Sequence, residues 1–522
     1  MLQIKNLNMT HRKDLREIVK DFHVVLNAGD KAVIIGEEGD GKSTLLRWIY
    51  DPSLVEGYCE AEGENIYSGE RLGYLPQELP REDLGKSVCG YLSEEPCFWE
   101  ADPKEINRLT RELQLEEGFL YSDQSLDTLS GGEKIKVQMA RLLLAQPTVL
   151  LLDEPSNDID IFTLEWLEKL IVEFEHIVLF VSHDETLIEG TANMVIHLEQ
   201  LRRKNVSRYT VARLPYTEYI RRRGESMQKQ QQEALNDRRE EKARQEKWQR
   251  IYQRVDHELN TITRQNPSGA RLLKKKMKAV KSMEKRFERE SESMTQMPES
   301  EDAIFVKFNE GLSVPAGKVV LDFSLDCLEA PSDNGQERRV LARNVSLYVK
   351  GGEKVCIIGK NGAGKSTLLK AVAEELLKRT DVKTAYMPQN YEEQMDLEKT
   401  PVEILSVTGD KEELTRIRTY LGSMKYTKEE MERPALALSG GQKAKIFLLK
   451  LSMSGANVLL LDEPTRNFSP LSNPVIRQVL RDFGGAVISS SHDRKYIREV
   501  CDRVYWLDEE GLREYTGAAG AL

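Results

Sequence analysis

Gly359-Lys-Asn-Gly-Ala-Gly-Lys365-Ser366 follows the apolar run Lys354-Val-Cys-Ile-Ile358 and precedes Thr367-Leu-Leu-Lys-Ala-Val. The eight residues fit G-x-x-x-x-G-K-[ST], and a buried strand before with a helix after is the context that template needs. Glycines let the backbone curl around a phosphate with its N–H groups inward, and a helix start adds partial positive charge. Gly359, Asn361, Gly362, Gly364 and Thr367 are candidates for that cradle. Lys365 is placed to reach the outer phosphates and Ser366 to hold Mg²⁺.

A second copy makes the reading specific. Gly36-Glu-Glu-Gly-Asp-Gly41-Lys42-Ser43-Thr44 follows Lys31-Ala-Val-Ile-Ile35, with Gly36, Gly39, Gly41, Lys42, Ser43 and Thr44 in the matching roles. Further pairs recur in the same order. Gln77 ends Leu72-Gly-Tyr-Leu-Pro, and Gln389 ends Tyr386-Met-Pro. Ser130-Gly131-Gly132 and Ser439-Gly440-Gly441 each open a helix. Asp153-Glu154 and Asp462-Glu463 end apolar strands, and His183 and His492 end another pair. Ser130 and Ser439, Asp153 and Asp462, and His183 and His492 all lie 309 residues apart, so the chain is an internal duplication. Strands alternating with helices predict a mostly parallel α/β sheet in each half.

The residue types suit phosphate chemistry. Asp153 and Asp462 are hard oxygen ligands for a cation such as Mg²⁺, with Ser43, Ser366, Gln77 and Gln389 completing its candidate ligands. Glu154 and Glu463, one residue on, can orient or deprotonate water, and His183 and His492 can contact a terminal phosphate. A single strand-end histidine is as well explained by a loop cap; recurrence within paired sets favours the site.

These motifs together resemble the ATP-binding cassette superfamily over about four fifths of the chain. The resemblance implies an ATPase of two P-loop cassettes that pair head-to-tail within one monomer around two nucleotides. Site one would join Lys42, Ser43, Gln77, Asp153, Glu154 and His183 to Ser439, Gly440 and Gly441. Site two would join Lys365, Ser366, Gln389, Asp462, Glu463 and His492 to Ser130, Gly131 and Gly132.

The two sites differ in sequence. The first loop carries Glu37, Glu38 and Asp40 where the second has Lys360, Asn361 and Ala363. After Glu463, Thr465-Arg-Asn-Phe-Ser-Pro-Leu-Ser472 departs from the family's Asn-His-Leu-Asp run, whereas Ser156-Asn-Asp-Ile-Asp160 stays closer. By the family geometry both departures fall on site one, which is expected to bind or hydrolyse nucleotide more slowly. Carboxylates beside a triphosphate should weaken binding unless they point to solvent. No aromatic residue precedes either loop in a position to stack a base, so ATP and GTP are not distinguished.

Composition bounds the rest. With 522 residues and 40% hydrophobic content the chain holds two or more domains. No apolar run is long enough for a transmembrane helix, and Met1-Leu-Gln-Ile-Lys-Asn-Leu reads as a strand rather than a signal peptide. The six cysteines lack C-x-x-C spacing, which suggests reduced thiols in a cytoplasm. The expected domains are 1–205, a linker 206–303 with its tip about 264–271, and 304–522.

The linker reads as one helix from about Tyr216 to Gln265, a breaker at Asn266-Pro-Ser-Gly269, and a second helix from about Ala270 to Met294. Trp248, Ile251, Tyr252, Val255, Leu259 and Ile262 on the first, and Leu273, Met277, Val280, Met283 and Phe287 on the second, can zip as an antiparallel α-helical coiled coil. Residues 221–290 hold 21 basic and 11 acidic side chains, so the rest of this chain of net charge -11 carries -21. Arg264, Arg271, Lys274, Lys275, Lys276, Lys278 and Lys281 form a run with no acidic residue. A charge run is commonly a solvated face, but a one-signed run at a hairpin end favours a polyanion such as RNA.

Two cassettes around a charged helical hairpin resemble the ABC-F proteins. That resemblance implies binding to the 70S ribosome, with the hairpin reaching rRNA and the P-site tRNA near the peptidyl-transferase centre, and no membrane or transmembrane subunit. The Leu461–Ser472 run looks like that of antibiotic-resistance members, and the 87 residues between Lys42 and Ser130 leave little room for the arm of some housekeeping members. A housekeeping translation factor, a DNA-repair ATPase and a transporter motor are the alternatives.

Overall fold

The computed structural model describes residues 1–157, 159–201, 206–261, 267–292, 297, 313–331 and 338–515. It divides into two compact units, Met1–Tyr216 with Glu301–Leu522, and Thr217–Ser300.

The first unit holds both cassettes, each built on a six-stranded sheet. In the first, the order is Leu72–Leu75, Val149–Asp153, Ile177–Val181, Lys31–Ile35, Met194–Leu201, Val206–Ala212. The second repeats it with Thr384–Met387, Val458–Asp462, Ala486–Ser490, Lys354–Ile358, Arg503–Asp508, Gly511–Glu514. All neighbours are parallel except the last pair of each sheet. Strands such as Val149–Asp153 and Val458–Asp462 are buried throughout, as a sheet covered on both faces requires. Smaller antiparallel sheets add Glu17–Leu26, Leu2–His11 and Cys59–Ile66 in the first cassette, and Val319–Pro331 with Arg338–Lys350 in the second.

Each phosphate loop leaves a central strand and enters a helix, Lys42–Tyr50 or Lys365–Leu377. Gly359 has φ 157° and a Cβ there would lie 2.5 Å from the Leu507 carbonyl oxygen; Gly36 meets Leu198 in the same way. Only glycine lets these loops turn so close to the neighbouring strand.

Two sequence expectations shift. Residues 206–212 are not linker: Val206–Ala212 pairs antiparallel with Met194–Leu201 and closes the first sheet. The second helix begins at Pro267 rather than about Ala270, after the first ends at Thr261, and residue 266 of the expected breaker lies outside the described residues. Proline fits a helix start, where its missing N–H has no partner to lose.

The second unit contains that helix and most of the long helix Tyr216–Thr261. Ion pairs one turn apart stiffen the latter, among them Arg221–Glu225 at 2.6 Å and Arg244–Glu240 at 2.8 Å. The Trp248 indole donates to the Val280 carbonyl at 3.0 Å, and Val255, Leu273 and Val280 are buried. Ile251 and Met283, expected on the same stripes, are exposed. Ile262 and Arg264 lie outside the described residues.

Candidate functional site

The cassettes meet head-to-tail. Ser130 and Gly131 line one cavity with Lys365, Ser366, Thr367, Gln389, Glu463 and His492. That cavity measures about 860 Å³. The opposite combination, Glu37 and Glu38 with Ser439 and Gly441, encloses about 20 Å³. The large cavity gathers most of the residues expected at site two, and it also takes in Gln77 and His183, expected at site one; the first loop meets Ser439 and Gly441 through Glu37 and Glu38.

Local structure explains the positions. Ser130 and Ser439 cap the helices Gly131–Leu144 and Gly440–Met453, each bonding the backbone N–H three residues on. Glu154 and Glu463 hold the left-handed backbone region, φ 51° and 52°. Each is anchored by its N–H to a neighbouring strand carbonyl, Val181 or Ser490, at 3.0 Å. Non-glycine residues in this region signal a functional constraint.

In site one every acidic group is engaged by the chain itself. Lys42 Nζ donates to the Gly36 and Glu37 carbonyls at 3.0 Å. Ser43 donates to Asp153 Oδ1 at 2.8 Å, and Tyr74 to Oδ2 at 3.3 Å. Glu154 takes Gln77 at 3.2 Å and Asn157 at 2.5 Å, and lies 3.1 Å from His183 Nε2. Burial alone would raise the Glu154 carboxyl; His183, Lys42 and Asn157 outweigh it and hold it at about 2. Gln77 thus serves Glu154 here rather than Asp153. The other nitrogen of His183 lies 2.9 Å from the Phe468 carbonyl oxygen, across the interface.

Site two keeps the motif but leaves it less satisfied. Lys365 Nζ bonds the Gly359 and Lys360 carbonyls at 2.9 and 3.0 Å. Asp462 accepts from Ser490, while its Oδ2, the Tyr386 hydroxyl and His492 Nδ1 are buried with no hydrogen-bond partner among the described residues. His492 Nε2 stands 3.8 Å from Glu463 Oε1. Burial, then Lys365, lowers His492 to about 3. Burial pushes Glu463 well above the usual carboxylate range, against the pull of Lys365. The divalent cation implied by these motifs fits here: an orphaned carboxylate oxygen shares a cavity wall with a serine hydroxyl and a glutamine.

The carboxylates of the first loop do not point to solvent. Glu38 accepts from the Gly441 N–H, and Glu37 lies 3.3 Å from both Lys425 and Lys445 Nζ. The Thr465–Ser472 segment packs beside them through Asn467 and Phe468. The last loop glycines abut aliphatic side chains: Gly41 meets Ile18, and Gly364 meets Leu341 and Leu328.

Sequence reasoning missed several groups. Asn157 and Tyr74 hold the site-one carboxylates. Arg477 forks onto Glu185 at 2.6 and 3.2 Å in a buried pair across the cassettes. Lys495 adds contacts to Glu185 and Glu189 at 3.1 and 2.6 Å. The only signal for the last two was a charged residue two or three places after each motif histidine.

The family described as "ABC transporter" matches residues 19–157 and 342–466, and the chain belongs to this family of ATP-binding cassette proteins. Relatives named as members of the F branch are among its matches. It is 25% identical over 554 residues to ABC transporter F family member 2 of Arabidopsis thaliana, covering 96% of this chain and 76% of the relative. It is 28% identical over 535 residues to ATP-binding cassette sub-family F member 3 of Rattus norvegicus, covering 95% and 70%. The fold resembles that of the archaeal ribosome recycling factor aABCE1, crystallised with ribosomal stalk protein aP1. That match has TM-score 0.57 and 18% identity, over 98% of this chain and 89% of the other. The chain is a tandem-cassette ATPase. No described helix is long and apolar enough to cross a membrane.

Proposed function

We propose that this ATPase is a cytoplasmic ribosome-binding factor of the ABC-F type that presents its helical linker to rRNA and the P-site tRNA of the 70S particle. The observation that carries this reading is the cationic face of Pro267–Glu292. Arg271, Lys274, Lys275, Lys278 and Lys281 recur at threes and fours, and all are exposed together with Lys276. Leu273, Met277 and Val280 fall on the opposite side of the same helix. An acidic body carrying one basic face docks on a polyanion in one orientation. The relatives of the F branch, and a structural neighbour titled as a ribosome recycling factor, support the choice of polyanion.

ATP closes the cassettes, and hydrolysis reopens them. At site two Gly359, Gly362, Gly364 and Lys365 cradle the phosphates, with Ser130 and Gly131 opposite. Glu463 takes the proton of the attacking water and His492 contacts the terminal phosphate. Ser366, Gln389 and Asp462 would hold Mg²⁺, which neutralises phosphate charge when bound. The short span between Lys42 and Ser130 and the Thr465–Ser472 run favour antibiotic resistance by ribosome protection over a housekeeping role.

The test is co-sedimentation of the Glu154→Gln/Glu463→Gln variant with 70S ribosomes. ATP-dependent pelleting is expected. Its absence from a folded, ATP-bound variant transfers the hairpin to DNA. Replacing Lys274, Lys275, Lys276 and Lys278 by glutamate should abolish pelleting while basal ATPase persists.

A further inference from the structure

The first phosphate loop reaches across the cassette interface with its own anions. Glu38 bonds the N–H of Gly441 in the first turn of Gly440–Met453. Glu37 is bracketed by Lys425 and Lys445, each 3.3 Å away, and its side chain is only 16% exposed. Asp40 is buried beneath them and accepts the Glu37 N–H at 2.8 Å, which sets the loop's shape. A helix N-terminus flanked by two ammonium groups is a place built for a phosphate. Here two carboxylates fill it.

The other site reverses the charges. Lys360 and Asn361 stand where Glu37 and Glu38 stand in the first loop, and Lys136 stands where Lys445 stands after the signature serine. Burial lowers the Lys136 ammonium; Asp160 and Glu133 oppose this, and Lys360 adds to it. Opposite charges hold site one, and the second loop carries no carboxylate to do the same at site two. The polar atoms agree: Asp462 Oδ2 and His492 Nδ1 have no partner among the described residues, while Asp153, Glu154 and His183 all have partners within the chain.

We propose that site one is a self-clasped hinge. Glu37 and Glu38 take, on the signature helix Gly440–Met453, the place that a nucleotide's terminal phosphate takes on the signature helix of site two. The cassettes stay joined there without nucleotide, and nucleotide-driven opening and closing is confined to site two. A polyphosphate entering site two supplies the anion that the second loop lacks. This rests on reading the chain as a two-site ATPase, but its test needs no ribosome.

The experiment is calorimetric titration of the full chain with Mg²⁺ and a non-hydrolysable ATP analogue. The native chain should bind one equivalent, with any second binding weaker by at least about thirtyfold, because carboxylate and triphosphate compete for one N–H. Glu37→Lys/Glu38→Asn, which installs the second loop's residues, should bind two equivalents with affinities within about fivefold of each other. Glu38→Gln keeps the shape and removes the charge, so it covers misfolding of the double variant; it should tighten the second site at least about tenfold. Two equal sites in the native chain overturn the proposal. So does a Glu38→Gln variant with no gain. Single-site binding that survives Lys365→Ala overturns it as well, since the nucleotide would then occupy site one. Failure of ribosome pelleting leaves all these outcomes untouched, so the two readings fail separately.

Discussion

Site one and site two carry the same lysine, serine, glutamine, aspartate–glutamate pair and histidine, yet the carboxylates of one are held within the chain while the other has buried polar atoms without partners among the described residues. In site one Glu154 is gripped by Gln77, Asn157 and His183. In site two Glu463 has the His492 backbone N–H at 3.3 Å and stands in a buried, weakly compensated setting. The motif residues are the same types in both sites but are paired differently, and their neighbours differ: Glu37 and Glu38 in the first loop, and Asn157 where the second cassette has Arg466. A duplicated site can keep its chemistry on paper and change its task through two side chains beside it.

The largest expected effect separates the two carboxylates. Glu463→Gln should lower ATP turnover by about two orders of magnitude or more, the range of a general base. Glu154→Gln should cost less than about fivefold on the same scale. Steady-state phosphate release measures both, and equal losses would break the comparison.

The contacts beyond the clasp come next. Arg477→Met leaves Glu185 buried beside Lys495 alone. Losing one partner of a buried pair costs about 3–5 kcal/mol, and the remaining lysine at 3.1 Å puts this case at the lower end. The urea midpoint should fall, and Glu185→Leu added to Arg477→Met should restore most of it. An unchanged midpoint would show that the cassettes are held together elsewhere.

The smallest effect is a pH slope. Burial, then Asp493 across the interface, raises the Asp184 carboxyl to about 6. The folded chain binds this proton more tightly than the unfolded one, so its contribution is full below about 3.9 and is lost as pH rises through 6. Glu154 acts oppositely: its pKa of about 2 gives stability above about 4.3 that is lost only as pH falls through 2. Between pH 4 and 6 Asp184 and Glu463 lose stability as pH rises, while His492, held at about 3, gains it. Relative to the native chain, Asp184→Asn should lose less melting temperature, or gain more, per pH unit in that window, and a parallel slope would remove Asp184 from the account.

Much of this was legible in the residues. Strand-loop-helix order and the two phosphate loops follow from short-range patterns that local physics dictates, whereas the crossed pairing was only what the family resemblance implies. The boundary near residue 205 was not, because Val206–Ala212 is a strand only through its pairing with Met194–Leu201. Pro267 marked the break between the helices but not the side on which it falls, because proline ends helices as readily as it begins them. Ile251 and Met283 repeat at the right interval but lie exposed, since periodicity marks a face and not its depth.

The sequence by itself determined that two ATP-binding cassettes flank a helical linker, which residues form each half-site, and that the first loop is unusually acidic. Only the tertiary structure decided what that acidity does. Glu38 and Gly441 are 403 residues apart, and no local rule relates them. Their contact exists because two independently built sheets present a loop of one and a helix start of the other at the same place. Across such an interface the sign of a charge acquires meaning only from the partner that faces it.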